Sequence, residues 1–371
     1  MRAKNVLGLI YSNSHDECIS ELTARRTMGS VPFGGRYRLI DFTLSSLVNC
    51  GITKVGVIAN SNFRSLMDHL GSGRPWDLSR KRDGLFILPP FKASDADKGG
   101  DRVADLSRVM DFISGSSEEY ILICDTNTVY NMDFTELFEY HTEKNADITI
   151  VTNFGKIPHL KNMMVFDCES DGKVKSVAIN PKTEQDVKYS VNTILMRKSL
   201  LERLVGDAIS YSYESFEKSV IQKNISKLNT YCYNAHGFCK MIDSKESYFD
   251  INMELLNPDI RADLFNKERP VFTKIRNDMP VQYGLLSSVS NSLISDGCII
   301  DGTVENSVLA RGVRISKGAV VKDCILMQDT FVGDDAELQC IITDKSAIIT
   351  PHKTLSGAKT YPIYIGKGII I

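Results

Sequence analysis

The sequence predicts two domains: a doubly wound α/β sheet, then a parallel β-helix. Three observations point there. Short apolar strand patterns alternate with helical ones over the first part of the chain. Near residue 280 the helical patterns stop, and apolar residues recur six apart between Gly, Asp and Ser. The length, 371 residues, exceeds what one hydrophobic core usually serves.

Asn5 to Tyr11 is almost wholly apolar and suits a strand buried on both faces of a parallel sheet. Asp41 to Asn49 reads as a helix. Asp41 is its expected N-cap, Leu44, Leu47 and Val48 form its apolar stripe, and Cys50-Gly51 stops it. Lys54 to Ala59 is a second buried strand and completes a βαβ unit. The alternation goes on with helices over Phe63–Leu70 and Val103–Ile113, a strand over Tyr120–Cys124, a helix over Phe134–His141 and a strand over Asp147–Val151. Ligands of such sheets bind beyond the carboxyl ends of the strands, which places the loops after Tyr11 and Cys124 at any site.

From Asn162 to about Met196 the pattern is strand-like, with Asp171-Gly172 as a hairpin turn. Ser199–Leu204, Ser215–Ile221 and Tyr248–Leu256 read as helices, the last ending at Asn257-Pro258. The expected divisions are a first domain over 1–265, a linker over 266–283 holding Pro270 and Pro280, and a β-helix over 284–371. Its hexad phase is carried by Ile294 and Ile300, and by Val320, Leu326, Val332 and Leu338. One such turn cannot bury its own face; stacked turns share a core.

Composition excludes several classes. The chain is 43% hydrophobic and 24% charged, and 44 basic against 46 acidic residues leave a net charge of -2. No basic excess points to nucleic acid or an anionic membrane. The nine cysteines include no CxxC pair and no zinc-ligand spacing with histidine, so they read as reduced, buried thiols. The N-terminal apolar run is too short for a signal peptide, and no run approaches the roughly 20 residues of a membrane span. A cytoplasmic protein is expected.

The most specific run is Val31-Pro-Phe-Gly-Gly-Arg-Tyr-Arg-Leu-Ile-Asp-Phe42, followed by Asn49-Cys-Gly-Ile52. With Tyr130-Asn-Met-Asp-Phe134, Glu139-Tyr-His141, Asn252-Met-Glu-Leu-Leu256 and Ser307-Val-Leu-Ala-Arg-Gly-Val-Arg314, it closely resembles the glucose-1-phosphate adenylyltransferases, or ADP-glucose pyrophosphorylases. The resemblance spans essentially the whole chain. It implies a Rossmann-like nucleotidyltransferase domain followed by a left-handed β-helix. The family's reaction joins ATP and glucose-1-phosphate into ADP-glucose and pyrophosphate, the donor for bacterial glycogen. Such phosphoryl chemistry rests on positioning and neutralisation of charge by backbone amides, cations and Mg²⁺.

The matching positions lack those groups. A glycine-rich loop, Gly-Gly-x-Gly-x-Arg-Leu in active members, is here Asn13-Ser-His-Asp-Glu-Cys-Ile19, and Cys18 takes the arginine position. Asp16 and Glu17 stand where phosphate oxygens would lie. The lysine before the Val-Pro pair is Met28. The two Mg²⁺ aspartates align with Asn127 and Met241, and the sugar-phosphate lysine with Asn180. An amide and a thioether cannot replace two hard anionic oxygens; Asp125 and Asp243 are the only nearby substitutes. Gly99-Gly100 corresponds loosely to the family's nucleotide-base loop, and Trp76 reads as a packing residue. The chain thus resembles the non-catalytic, regulatory GlgD-type subunit of a two-subunit enzyme. The expectation is no metal or cofactor for this chain, with Mg²⁺ held by a catalytic partner subunit in a heterotetramer, or a homo-oligomer when alone. The alternatives are an enzyme active by itself and a stand-alone sugar-nucleotide or effector-binding module. The resemblance also implies an anionic effector site at Arg25, Arg26, Arg38, Arg311 and Arg314, where converging guanidiniums suit phosphate; the competing reading is surface charge paired with nearby acids.

Overall fold

A computed structural model describes residues 3–89, 102–212 and 215–371. Gly99-Gly100 lies outside the described residues. The first domain is built on a nine-stranded sheet. Its strands are β1 (Val6–Tyr11), β2 (Lys54–Ile58), β3 (Gly84–Leu88), β4 (Tyr120–Asp125), β5 (Ile148–Gly155), β6 (Met164–Cys168), β7 (Val174–Ile179), β8 (Val187–Arg197) and β9 (Thr230–Asn234). The order β7-β6-β8-β4-β1-β2-β3 is parallel from β4 to β3, and β5 pairs with both β8 and β9. β1 is buried at every position, as a strand covered on both faces must be. Two apolar clusters flank the sheet, one around Leu44, Leu47, Val55 and Phe134, the other around Leu9, Leu106, Ile123 and Leu201.

Several expectations shift in detail. The first long helix runs Leu39–Asn49, so Asp41 is not its N-cap but the third helical residue. From there its carboxylate accepts the backbone N–H of Arg38 at 2.9 Å and contacts His69 Nε2 at 2.6 Å. The span expected as one helix over 103–113 is two, Arg102–Arg108 and Met110–Ser114. Asn257-Pro258 does not merely stop a helix: Asn257 caps a further one, Pro258–Leu264, with proline at its first position. Trp76 is buried and edges onto His69.

From Gln282 onward the chain winds as a left-handed parallel β-helix of short strands stacked in three five-stranded faces. Val304, Val321 and Leu338 stack in register and are buried. The core residue is Val321 rather than the expected Val320. The corner at Asp323, with φ 48°, is one residue tighter than a strict hexad. Asn306 and Asp323 sit at equivalent corners, both with positive φ, a conformation these side chains tolerate.

The two domains share a core. Phe33, Leu39, Phe42, Tyr248 and Phe249 from the first pack with Ile325, Met327 and Ile342 from the β-helix. Gly34 (φ 58°) and Gly35 (φ 80°) form the turn that touches the β-helix. A Cβ at Gly35 would lie 2.6 Å from Ser295 Oγ and 3.2 Å from the Leu309 carbonyl, so only glycine fits. Asn252 holds this turn by accepting the Gly34 N–H at 2.9 Å, and Tyr248 donates to the Pro32 carbonyl at 2.6 Å.

Candidate functional site

Tyr11 and Asp125 are register partners at the carboxyl ends of β1 and β4, so the loops that follow leave the sheet side by side. The loop after β1 is tied down by its own side chains. Asp16 accepts the Met28 backbone N–H at 2.7 Å and an N–H of Asn13 at 2.7 Å, while Asn13 accepts the Asn60 N–H at 2.8 Å. A carboxylate therefore already occupies a backbone donor beside this loop. Burial pushes the Asp16 carboxyl up to about 7, against the lowering effect of those hydrogen bonds.

Behind the loop lies a buried ion network that the sequence did not disclose. Arg102 donates to both carboxylate oxygens of Asp125, at 3.0 and 2.8 Å, and its Nε lies 3.5 Å from Glu217. Its guanidinium covers the Tyr11 ring at 4.7 Å. Burial, the largest single influence, raises the Asp125 carboxyl, but Arg102 and His15 together outweigh it and the net direction is down. Ser14 and His15 add contacts to Asp125 at 3.2 and 3.5 Å. The cation is supplied by the protein, next to the strand end where a ligand's charge would be met.

The altered positions divide into two groups. Cys18, Asn127 and Met241 come together around Ile242. Its carbonyl accepts from Asn127 Nδ2 at 3.3 Å and lies 3.7 Å from Cys18 Sγ, and Met241 pairs with Thr128 across a short ladder. Burial pushes the Cys18 thiol up to about 12, so it is not a ready nucleophile. Met28 packs in the same apolar cluster as Ile242, the cluster that Cys18 packs against, whereas Asn180 stands elsewhere. Met28 is fully buried in the interdomain core. Asn180 is an exposed residue at the end of β7, with φ 47°, bonded to the Met163 backbone through its side chain at 2.7 Å. A cleft of about 350 Å³ opens beside the loop, lined by His15, Glu17, Cys18, His159, Leu160, Lys161 and Asp243.

The residues do not fit Mg²⁺. Asn127 turns its N–H toward a carbonyl, Asp125 is consumed by Arg102, and Asp243 accepts from the His159 N–H at 2.8 Å. Among the described residues no group of three His, Cys, Asp or Glu side chains is arranged to hold a metal ion.

The five arginines do not form one cluster. Arg26 is buried and bound to Asp344 at 2.7 and 2.8 Å, across the domain boundary. Arg38 donates to Ser65 at 2.7 and 3.0 Å, and burial lowers its guanidinium to about 10. Beside these two sits Lys345, absent from the sequence reading. Burial, then Arg38 and Arg26, lowers its ammonium to about 7. Arg311 is buried elsewhere, 3.6 Å from Asp278 and electrostatically coupled to Arg36 and Arg276; burial lowers it too. Arg25 is exposed, and Arg314 points outward from the β-helix in register with Phe331. Neither Lys345 nor Asp344 carries a local motif; each meets its partners only through the stacking of the two domains.

The fold and the site's position define the class: a nucleotidyltransferase sheet with an appended hexapeptide-repeat helix. Two family models match accordingly. The nucleotidyl transferase model covers residues 19–257, and the GlmU-like C-terminal hexapeptide model covers 280–359. Among similar proteins are the glycogen biosynthesis protein GlgD of Bacillus subtilis, 33% identical over 98% of this chain and 96% of its own length, and that of Geobacillus stearothermophilus, 37% identical over 98% and 97%. A glucose-1-phosphate adenylyltransferase of Thermosipho africanus is 33% identical over 86% of this chain and 78% of its own. The chain belongs to the nucleotidyl transferase family, as a GlgD-type member related to glucose-1-phosphate adenylyltransferase. Among the described residues no helix is long and apolar enough to cross a membrane.

Proposed function

We propose that this chain is a non-catalytic, regulatory subunit in bacterial glycogen synthesis. It takes no Mg²⁺ of its own and assembles in the cytoplasm with a catalytic glucose-1-phosphate adenylyltransferase chain, as a heterotetramer, and raises that partner's activity. The observation that carries this is the filled site. Arg102 pairs with Asp125 and Glu217 where a ligand's charge would be met, and Asp16 ties down the loop. Loss of a single electrostatic contributor of this kind typically costs about 10²–10³ in rate, and several are missing together. The domain core that would present an assembly surface is intact.

Regulation has a candidate seat at the domain boundary. Arg38 and Lys345, with Arg26 behind them, place cationic groups around one interdomain position; among the described residues Arg26 alone of the three makes a direct ion pair, while Asp41 and Asp68 act on Arg38, and Asp344 on Lys345, at longer range. That is chemistry for a phosphate- or sulfate-bearing effector. Arg25, Arg311 and Arg314 lie outside this group, and we leave them out of the proposed site. The test is to assay ADP-glucose formation by the pure chain, by an intact paralogue and by their mixture, with size-exclusion analysis of the mixture. The expected result is no activity from the pure chain and a co-eluting mixture faster than the paralogue alone. Activity in the pure chain with Mg²⁺, or a mixture neither co-eluting nor faster, overturns the proposal.

A further inference from the structure

The β-helix has three faces, and two of them are accounted for. One packs against the first domain through Ile325 and Ile342. A second presents mainly polar side chains, among them Thr303, Glu337 and Thr354, and carries the Lys322–Glu305 ion pair at 2.9 Å. The third differs. Its strands stack in register from Gln282–Tyr283 to Ile348–Ile349. Its outward row is Ile299, Arg314, Phe331 and Ile348, continued by Ile370 through a parallel bridge to Ile348. Phe331 is 38% exposed, Ile348 37% and Ile370 65%. The corners beside this row are charged in alternating order. Along the edge that follows each strand, successive turns carry Asp301, Lys317, Asp334 and Lys353. Ion pairs nearby go to other residues, Asp335 with His352 and Asp323 with Lys359, so these four are unpaired among the described residues. Along the opposite edge Asp296, Arg311 and Asp329 follow the same order of sign.

From this pattern we infer that the third face docks a second copy of this chain, with the two β-helices antiparallel about a two-fold axis. An axis between the turns of Arg314 and Phe331 brings the whole face into contact, and each contact then occurs twice. Arg314 of each copy lies over Phe331 of the other, a cation on an aromatic ring, and Ile299 lies over Ile348. At the corners Lys317 meets Asp334 and Asp301 meets Lys353, so every facing pair is of opposite sign. The same charges exclude a parallel pairing. That arrangement sets one edge against the other, so Asp301 meets Asp296, Lys317 meets Arg311 and Asp334 meets Asp329, and like charges repel. With turns about 4.8 Å apart, the face from Gln282 to Ile370 is about 24 Å tall. One short face of that height falls below the roughly 800 Å² per partner of a standard interface, so the dimer is weak and forms at micromolar concentration. The pairing concerns the chain alone and does not rest on the assembly with a catalytic subunit.

The test is sedimentation velocity of the pure full chain over a wide range of micromolar concentrations, at low and at high salt. The expected result is a monomer–dimer equilibrium that salt weakens. Lys317→Glu and Asp334→Lys each reverse a charge at an exposed corner, and each should weaken dimerisation about tenfold. The two together should restore it to within about threefold of the parent, because opposite charges again face each other. Phe331→Ser, at a side chain already partly in solvent, should abolish the dimer while circular dichroism stays native. A chain that is monomeric at every concentration overturns the inference, whether or not a catalytic paralogue then binds this face. So does a dimer indifferent to Phe331→Ser and to both charge reversals, which would place the contact elsewhere. A double variant as weak as the single ones overturns the antiparallel arrangement.

Discussion

The Arg26–Asp344 pair is the sharpest test of how the two domains are joined. Both side chains are 4% exposed, and the Asp344 carboxylate also accepts from the Tyr364 hydroxyl at 2.8 Å and the Lys345 backbone N–H at 2.6 Å. Replacing Arg26 with Ala leaves a buried carboxylate with two hydrogen-bond donors and no direct ion pair. Breaking such a pair from one side costs about 3–5 kcal/mol. The two surviving donors place the expected value near the lower end. In a chain of this size about 3 kcal/mol corresponds to a fall of roughly 4 °C in Tm, measured calorimetrically. Because the cost is an orphaned charge, Arg26→Met with Asp344→Leu should recover most of it. A double-mutant cycle with Arg26→Ala and Asp344→Ala should show the double variant losing clearly less than the sum of the singles. Arg26→Ala within about 0.5 kcal/mol of the parent, the range of ordinary surface changes, would refute a buried interdomain pair.

Four further outcomes follow from the geometry. Between pH 7 and about 10.5 the unfolded chain holds a proton on Lys345 that the folded chain lacks, so this residue makes stability rise with pH across that window. An anion that favours its charged form should bind tighter at low pH: calorimetric sulfate binding should be about 3–10-fold tighter at pH 6 than at pH 8.5, and Lys345→Met should remove the difference. Gly35→Ala forces a Cβ against Ser295 and Leu309 in a left-handed backbone, with an expected loss of about 1–3 kcal/mol in urea unfolding; an unchanged midpoint contradicts the seam. Asp16 holds extra protons in the folded state between pH 3.8 and about 7, so its contribution declines as pH rises through that range. Asp16→Asn should flatten the urea midpoints between pH 5 and 8, and a parallel decline in the variant would be contrary evidence. Finally, Asn127→Asp with Met241→Asp should lower Tm, because one new carboxylate faces the Ile242 carbonyl in a buried position. Recovery of Tm by millimolar Mg²⁺ would show a competent metal site after all.

What was legible in the sequence was periodic or local. Buried strands such as Val6–Tyr11 announce themselves by continuous apolar residues, and the β-helix by its repeat. Phe33-Gly-Gly35 was legible as a turn, but not as the interdomain contact it makes with Ser295 and Leu309. β3 and β9 were missed: β3 is a short edge strand without clean alternation, and β9 interleaves Tyr, Cys and Asn and is fixed by its neighbour β5 rather than by its own pattern. The site was half legible. Departures from the family's active-site residues could be read position by position, at Cys18, Asn127 and Met241. What took their place could not, because Arg102 reaches Asp125 and Glu217 only through the fold. The arginines' surroundings were hidden for the same reason: residues alike in sequence were sorted by the fold into an ion pair with Asp344, a donor to Ser65, a buried group near Asp278 and outward charges.

The motif that carries the family resemblance lies at the seam between the two domains. Val31, Phe33, Leu39 and Phe42 point into the core shared with Ile325, Met327 and Ile342, and Gly34 and Gly35 make room for the β-helix. The loop of Asn13 to Cys18 meets different demands. Its side chains bond mainly to one another and to neighbouring loops, so changes there need not open the core. The two regions are adjacent in sequence but separable in energy. Large-to-small changes in a shared core cost several kcal/mol, whereas a surface loop whose polar groups find new partners can change at little cost. Substitutions in such a loop can therefore accumulate while the fold is kept.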